Sequence, residues 1–147
     1  MKRIAALALS AFIGTTAYAS DDPKDLIDAR QGAYKIIKYE FADNLAAMMR
    51  GRKDFDLERM QQAVNRIQAV SGILPEAFAI ESTASNSRAK AEIWSDPEGF
   101  RAAGMKFGQA IGELSAAVDS GDKGQIGAAL KAAGQTCKGC HDDYRKK

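Results

Sequence analysis

The sequence TCKGCHDDYRKK, residues Thr136–Lys147, contains both cysteines and the only histidine of this 147-residue chain. Cys137 and Cys140 are three residues apart, and His141 follows Cys137 by four residues. On an α-helix these spacings place the three side chains on one face. Apolar residues continue that face towards the amino terminus at the same intervals, namely Ile126, Leu130 and Ala133. The pattern therefore predicts an amphipathic helix with its cysteines and histidine on the core-facing side.

Three kinds of site use a Cys-x-x-Cys-His sequence, and each makes a different demand on its surroundings. Redox-active cysteine pairs usually lie at the amino end of a helix, where the dipole lowers the thiol pKa, whereas these lie near a carboxyl end. A zinc site needs further Cys or His ligands, and the chain has none. A c-type haem needs two thiols for thioether bonds and an adjacent histidine for the iron. We therefore expect one haem c per chain, attached through Cys137 and Cys140 with His141 as iron ligand; a disulfide or another metal site is the alternative.

Three further segments with the period of an amphipathic helix precede this one. Asp22, Asp56 and Asp96 stand where amino-terminal caps are preferred. The apolar stripes are Ile27, Arg30, Tyr34, Ile37, Phe41, Leu45 and Met48; Leu57, Met60, Val64, Ile67 and Val70; and Phe100, Gly104, Phe107, Ile111, Leu114 and Val118. No segment alternates as a strand would. The sequence predicts an all-α fold, an antiparallel up-down-up-down four-helix bundle that encloses the haem.

The first 19 residues have the layout of a secretory signal peptide. Lys2 and Arg3 precede an apolar run over residues 4–13, and Ala17-Tyr18-Ala19 ends the segment. We expect cleavage after Ala19, a bundle domain over residues 20–147, and a periplasmic location. The apolar run is shorter than the ~20 residues of a membrane span, so no span is expected after cleavage.

The charge of the exported domain argues against a nucleic-acid partner. The chain has 21 basic and 19 acidic side chains, and the leader takes two of the basic ones and no acidic one. Nineteen of each sign remain, and a surface of balanced charge is unsuited to a polyanion.

The four methionines of the bundle are poorly placed as a second iron ligand, which c-type cytochromes often use. Met48 and Met49 lie about 21 Å along the helix axis beyond Tyr34, and Met60 opens the next helix at the same far end. Met105 falls outside its helix's apolar stripe. The sequence therefore favours an iron with one open face.

Two residues of the first helix lie at the predicted height of the iron. Arg30 is on the apolar stripe, where an unpaired charge is costly, so it either meets a haem propionate or extends to solvent at the bundle end. Tyr34, one turn further, is either ordinary core or a cover for the open iron face.

These residues give the chain a resemblance to cytochrome c′, of the class II c-type cytochromes. It rests on ARQGAYK at residues 29–35, EIWSDPEGF at 92–100, CKGCHDDYR at 137–145 and the exported four-helix layout. The resemblance implies a five-coordinate, high-spin iron, with Arg30 and Gln31 against the haem. It also implies Tyr34 in the distal pocket, where low-spin relatives carry a methionine, and Arg145 beside the proximal pocket.

The resemblance also carries expectations about function. Cytochromes c′ bind NO and CO while discriminating against oxygen, and they transfer electrons to redox partner proteins. Many are homodimers through their first two helices, and Ala29, Ala33 and Ile36 form a second small apolar strip on the first helix. The alternative is a low-spin electron carrier. We do not expect an enzyme, because peroxide cleavage needs a distal acid/base and the only histidine is the expected proximal ligand.

Overall fold

The computed structural model describes residues 22–147. The expected signal peptide and its cleavage after Ala19 lie outside these residues. Within the described range, the chain is helical, and its only extended pairing is an isolated antiparallel bridge between Ala89 and Arg145. None of the helices in this range is long and apolar enough to cross a membrane.

The first long helix is continuous but changes its winding in the middle. It comprises α1 (Pro23–Lys38), a π-helical segment (Tyr39–Leu45) and α2 (Ala46–Met49). The Asp22 carboxylate accepts a hydrogen bond from the backbone N–H of Lys24, and Pro23 occupies the first helical position. Gly51, with φ of 67°, follows the helix end in the left-handed conformation that favours glycine.

The remaining long helices are α3 (Leu57–Ser71), α6 (Pro97–Ser120) and α7 (Lys123–Tyr144). Short helices α4 (Leu74–Ala77) and α5 (Glu92–Ser95) flank the longer connection. The Asp56 and Asp96 carboxylates accept backbone N–H groups at the starts of α3 and α6, as predicted, and Asp122 does so for α7. Gly121, at φ 71°, makes the tight turn between α6 and α7.

The long helices pack in sequence order around one core. The first helix contacts α3, α3 contacts α6, α6 contacts α7, and α7 closes the bundle against α2. This confirms the predicted four-helix bundle. We call the fully packed end the apolar half; its most buried large side chains are Leu45, Met60, Ile67, Ile111, Leu114 and Ile126.

The π-helical segment turns a carboxylate towards α3. Glu40 is 2% exposed and accepts hydrogen bonds from Arg59 (2.7 Å), Arg66 (3.0 Å) and Asn44 (3.0 Å). Burial alone would raise the pKa of Glu40, but the hydrogen bonds from Arg66, Arg59 and Asn44 outweigh it and lower that pKa. The segment therefore ties the first helix to α3 through a buried ionic cluster.

The apolar strip expected on the outside of α1 is only partly exposed. Ala29 and Ile36 lie at the surface, but Ala33 is buried. The prediction of a continuous strip was therefore wrong at Ala33. Tyr39, one turn after Ile36, extends the exposed apolar surface instead.

Candidate functional site

The cysteines and the histidine lie together in the last turns of α7, as predicted. Cys137 and Cys140 are half-buried, but His141 is exposed, so the prediction that all three side chains face the core was wrong for His141. Both thiols are free, and burial is the main cause that raises the pKa of each. A raised pKa disfavours the thiolate form on which redox-active cysteine pairs depend. Within residues 22–147 no three side chains of the metal-ligating types converge, so the zinc alternative finds no ligand set there.

The end of α7 is paired with the connection between α4 and α5. The backbone N–H of Lys146 donates to the Arg88 carbonyl (2.8 Å), and that of Lys90 donates to the Tyr144 carbonyl (3.1 Å). The Lys90 ammonium donates to the Asp142 and Asp143 carbonyls, at 2.9 and 2.8 Å. These bonds satisfy carbonyls at the helix end and fix the connection beside His141.

Burial and two nearby arginines act on the pKa of His141, against a smaller opposite effect of Asp142. Burial lowers the pKa of His141, and the charges of Arg145 and then Arg88 lower it further. The backbone N–H of Arg145 donates to the His141 carbonyl (3.2 Å), which places Arg145 next to the histidine. The arrangement favours the neutral imidazole, the form that coordinates a metal.

Aromatic rings form a chain from α1 to α7 at this end of the bundle. Tyr34 lies 6.4 Å from Phe78, Phe78 lies 5.0 Å from Phe100, and Phe100 lies 5.2 Å from Tyr144, all between ring centroids. Trp94 adds a fifth ring, 6.4 Å from Phe78. Phe78 carried no signal in the sequence, because it lies in a connection without helical period, and Trp94 entered only as part of the EIWSDPEGF segment.

Tyr34 faces this site with an unusual combination of properties. Its surface is 37% exposed, yet its hydroxyl lies among protein atoms, and burial raises its pKa. The nearby thiols of Cys140 and Cys137 raise that pKa further. The hydroxyl forms no hydrogen bond with residues 22–147. Tyr34 therefore lies near both cysteines, and its hydroxyl is available as a hydrogen-bond donor.

Arg30 is buried rather than extended to solvent, so the alternative of an arginine reaching solvent was wrong. Its surface is 3% exposed, and its two terminal nitrogens donate to the carbonyls of Ala77 and Ser82 and to the hydroxyls of Ser82 and Ser87. The guanidinium carbon also lies 4.8 Å from the centroid of the Phe78 ring. These contacts hold the connection against α1.

Gln31 reinforces the same attachment, since its amide donates to the Asn86 carbonyl at 2.9 Å. We call residues 78–90 the strap. It is held by Arg30 and Gln31 at α1 and by Tyr144 and Lys146 at the end of α7. One segment of chain therefore connects Arg30 and Gln31 of α1 to the end of α7, where the cysteines and His141 lie.

The methionines lie where the sequence placed them. Met48 and Met60 are buried in the core of the apolar half, with Met49 packed against that core. Met105 is 68% exposed on α6. The described residues bring no methionine into the aromatic chain around Tyr34.

Several stripe residues at the end of the bundle that contains Cys137 and Cys140 are incompletely covered. We call this end the cysteine half. A Cβ added at Gly104 would have no neighbour within 4 Å, Phe107 is only half-buried, and Tyr34 is partly exposed. This end of the bundle therefore has apolar stripe residues that the other helices leave partly uncovered, which fits a flat apolar group such as a haem held by α7.

Two surface grooves lie away from this site. One, of about 520 Å³, runs between α6 and α7, and another, of about 430 Å³, separates α7 from the carboxyl-terminal part of the first helix. Neither is lined by the cysteines, His141, Arg30, Gln31, Tyr34 or Arg145. The chemistry of the donor set, rather than groove size, locates the candidate site.

Comparisons with known proteins agree on one family. The family model described as cytochrome C′ matches residues 25–145. Cytochrome c′ of Rubrivivax gelatinosus is 36% identical over 85% of this chain and 97% of its own. The structure of cytochrome c prime from Shewanella frigidimarina covers 87% of this chain and 99% of its own, at 34% identity and a TM-score of 0.81.

Similar structures from a third organism contain bound gases. A variant of cytochrome c prime from Alcaligenes xylosoxidans, solved as a nitric oxide complex, matches with a TM-score of 0.80 at 31% identity, and covers 87% of this chain and 98% of its own. Another variant of that protein was solved with bound carbon monoxide, at a TM-score of 0.79 and 31% identity, covering 86% of this chain and 98% of its own.

Proposed function

The chain belongs to the cytochrome c′ family, and we propose that it is a haem c protein whose iron has one open face for NO or CO and also exchanges electrons. The observation that carries this proposal is the placement of Cys137, Cys140 and His141 together in the last turns of α7, with the partly exposed Tyr34 near both cysteines. The nitric oxide and carbon monoxide complexes of the Alcaligenes protein support the same gases as ligands here.

The three α7 side chains would hold the haem. Cys137 and Cys140 would form the two thioether bonds, and His141 would coordinate the iron from the proximal side. The lowered pKa of His141 keeps its imidazole neutral, and the adjacent Arg145 contributes to that effect. When bound, the haem supplies an iron atom that takes a small gas and exchanges one electron.

Residues of the first helix would define the distal side. Tyr34 takes the position at which a methionine would close the iron, and its ring would limit the space available to ligands. Oxygen depends on a hydrogen-bond donor more than NO and CO do, so an apolar pocket discriminates against it. The free Tyr34 hydroxyl is a potential donor, and its direction would set how strongly oxygen is excluded.

Arg30 and Gln31 would act mainly through the strap. Both terminal nitrogens of Arg30 already have protein acceptors, so its contact with the haem would be made by the remaining edge of the guanidinium and by its position under the strap. A propionate near Arg30 would add a negative charge where burial otherwise lowers the pKa of this arginine. That charge would favour the protonated guanidinium.

The setting of the protein follows from the same proposal. We propose export to the periplasm, because haem attachment through two cysteines suits an exported chain with the leader seen in the sequence. We propose a homodimer through the first helix and α3, supported by the exposed Ile36 and Tyr39. We propose no enzymatic activity, since no second histidine is available as a distal acid/base.

The visible spectrum of the reduced protein tests the open iron face. We expect a high-spin spectrum that changes when carbon monoxide is added, and a mass equal to the exported chain plus one haem. A sharp low-spin spectrum unaffected by carbon monoxide would mean a sixth protein ligand and would replace gas binding by a pure electron carrier. An unmodified polypeptide mass, from a host that matures c-type cytochromes, would refute the haem itself.

A further inference from the structure

Four basic residues lie on the two paired segments beside His141. Arg88 and Lys90 belong to the strap, and Arg145 and Lys146 follow the end of α7. We call these four residues the basic ledge. Arg88, Arg145 and Lys146 are exposed, whereas Lys90 is half-buried because its ammonium contacts the last carbonyls of α7.

Backbone pairing fixes the basic ledge in place. Ala89 and Arg145 form the antiparallel bridge, and the Lys146 N–H donates to the Arg88 carbonyl. The Arg88 guanidinium returns a bond to the Lys146 carbonyl at 3.0 Å. Charges held on paired backbone lose less conformational freedom on binding than charges on a mobile tail.

The four cations of the basic ledge are not neutralised by carboxylates, as is also true of most other basic side chains of residues 22–147. None of its four residues forms an ion pair with a carboxylate of residues 22–147, whereas Glu40, Asp28, Asp43 and Asp142 each pair with a basic side chain. The neighbouring Asp142 is engaged by Lys138. The ledge lies next to the site, since the backbone N–H of Arg145 donates to the His141 carbonyl at 3.2 Å.

We propose that the basic ledge is the docking surface for the acidic face of a redox protein, which exchanges electrons with the site beside His141. The proposal rests on the proposed haem function and adds the partner's chemistry to it. A patch of four cations beside Asp142 and Asp143, on a domain of balanced charge, is too small and too mixed to favour nucleic acid or a membrane surface. Weak electron-transfer encounters use small interfaces of this kind.

Electron transfer to small charged reagents tests the electrostatics of the ledge. The haem-loaded wild type is compared with Arg88→Gln/Lys146→Gln and with a matched control, Arg52→Gln/Lys131→Gln, whose residues are exposed elsewhere. Stopped-flow oxidation of the ferrous proteins is measured with ferricyanide, a trianion, and with tris(phenanthroline)cobalt(III), a trication. We expect the ledge variant to lose about three- to tenfold of the ferricyanide rate at low salt, with little loss for the control or for the trication.

Competition distinguishes an acidic protein face from other polyanions. We expect an octaglutamate peptide to slow the ferricyanide reaction of the wild type at low salt and to leave that of the ledge variant unchanged. Equal rates for ledge variant and control, or tighter binding of duplex DNA or of anionic phosphatidylglycerol vesicles than of octaglutamate, would overturn the docking proposal alone. A purified chain without covalent haem would overturn the proposed function, and the docking proposal with it.

Discussion

The two halves of the bundle are built from the same four apolar stripes and end differently. In the apolar half the stripe residues, such as Leu45, Leu114 and Ile126, are covered completely by the neighbouring helices. In the cysteine half the same stripes continue as Tyr34, Gly104 and Cys137, and they are only partly covered. The stripe pattern therefore fixes which face turns inward, but not whether protein alone fills the space between those faces.

The halves also differ in how their chain connections contribute. Tight turns at Gly51 and Gly121 flank the apolar half, whereas the cysteine half is crossed by the strap. Phe78 of the strap packs there against Tyr34, Phe100 and the buried Arg30. The cysteine half is therefore suited to holding an additional group. We expect its variants to behave differently from those of the apolar half.

The largest effect is expected from removing both attachment points. Cys137→Ala/Cys140→Ala should eliminate covalent haem and loosen the cysteine half, because its uncovered stripe then has no partner. Mass spectrometry and a thermal melt followed by circular dichroism measure these losses. Lys138→Ala, in the same turn but exposed, is the control. A double variant that melts like the haem-loaded wild type would show that the haem is not part of the core.

A cavity in the apolar half should be costly whether or not haem is attached. Leu114→Ala, at a side chain that is 0% exposed, should lower the free energy of unfolding by about 3 kcal/mol. Met105→Ala, on the exposed face of the same helix, should change it by less than about 0.5 kcal/mol. Denaturant titration of both variants checks this, and a cost for Leu114→Ala that disappears without haem would contradict the independence of the two halves.

Arg30→Lys should release the strap. A lysine cannot reproduce the four bonds from two guanidinium nitrogens, so local opening of residues 78–90 should become easier by about 2 kcal/mol. Hydrogen exchange and limited proteolysis of the strap measure the effect, with Arg101→Lys on exposed α6 as control. An unchanged strap with an altered haem spectrum would instead assign Arg30 to a propionate.

Glu40→Gln tests the ionic cluster of the apolar half, with an expected cost of about 1.5 kcal/mol at neutral pH. The pKa of Glu40 is lowered in the folded protein, so its contribution is complete above its ordinary value of 4.5 and is lost as pH falls through the folded-state pKa. The stability difference between wild type and variant should therefore shrink in acid. Glu113→Gln, at an exposed carboxylate, is the control, and a difference that grows in acid would contradict this sign.

The smallest effect concerns a single hydroxyl in the cysteine half. Tyr34→Phe should lower oxygen affinity of the ferrous protein by roughly two- to tenfold and leave carbon monoxide affinity nearly unchanged, if one donor is lost. Gas titrations followed in the visible spectrum measure both affinities. Tyr39→Phe, at the surface of the same helix, controls for removing a phenol. Equal oxygen affinities in wild type and Tyr34→Phe would exclude any role for the hydroxyl.

The local signals in the sequence were sufficient for the four long helices, but not for the short helices α4 and α5. Caps at Asp22, Asp56 and Asp96 and the turn at Gly121 depend on nearest neighbours along the chain, so their positions were predictable. The π-helical segment was not predictable, because its apolar residues are still spaced at intervals that ordinary α-helices also show. Its result, the inward turn of Glu40, had no signal in the sequence.

In the candidate site, too, residues close in sequence were predictable and contacts with distant segments were not. Cys137, Cys140 and His141 are close in sequence, and the structure brings Tyr34 near the cysteines. The partners of Arg30 were not predicted, because Ser82 and Ser87 lie more than fifty residues away in a segment without periodicity. Contacts between an irregular segment and a helix depend on the closed tertiary structure, which no local pattern encodes.

The aromatic chain contains the only tryptophan of the protein. Trp94 lies against Phe78, and its indole N–H donates to the Phe78 carbonyl at 3.0 Å. A porphyrin absorbs at the wavelengths where indole emits. Because Trp94 is the only tryptophan, the tryptophan fluorescence of the chain reports on this one site. Attachment of the prosthetic group should quench that emission, and unfolding, which separates Trp94 from the covalently held group, should partly restore it. The emission therefore gives an optical readout of maturation without any added label.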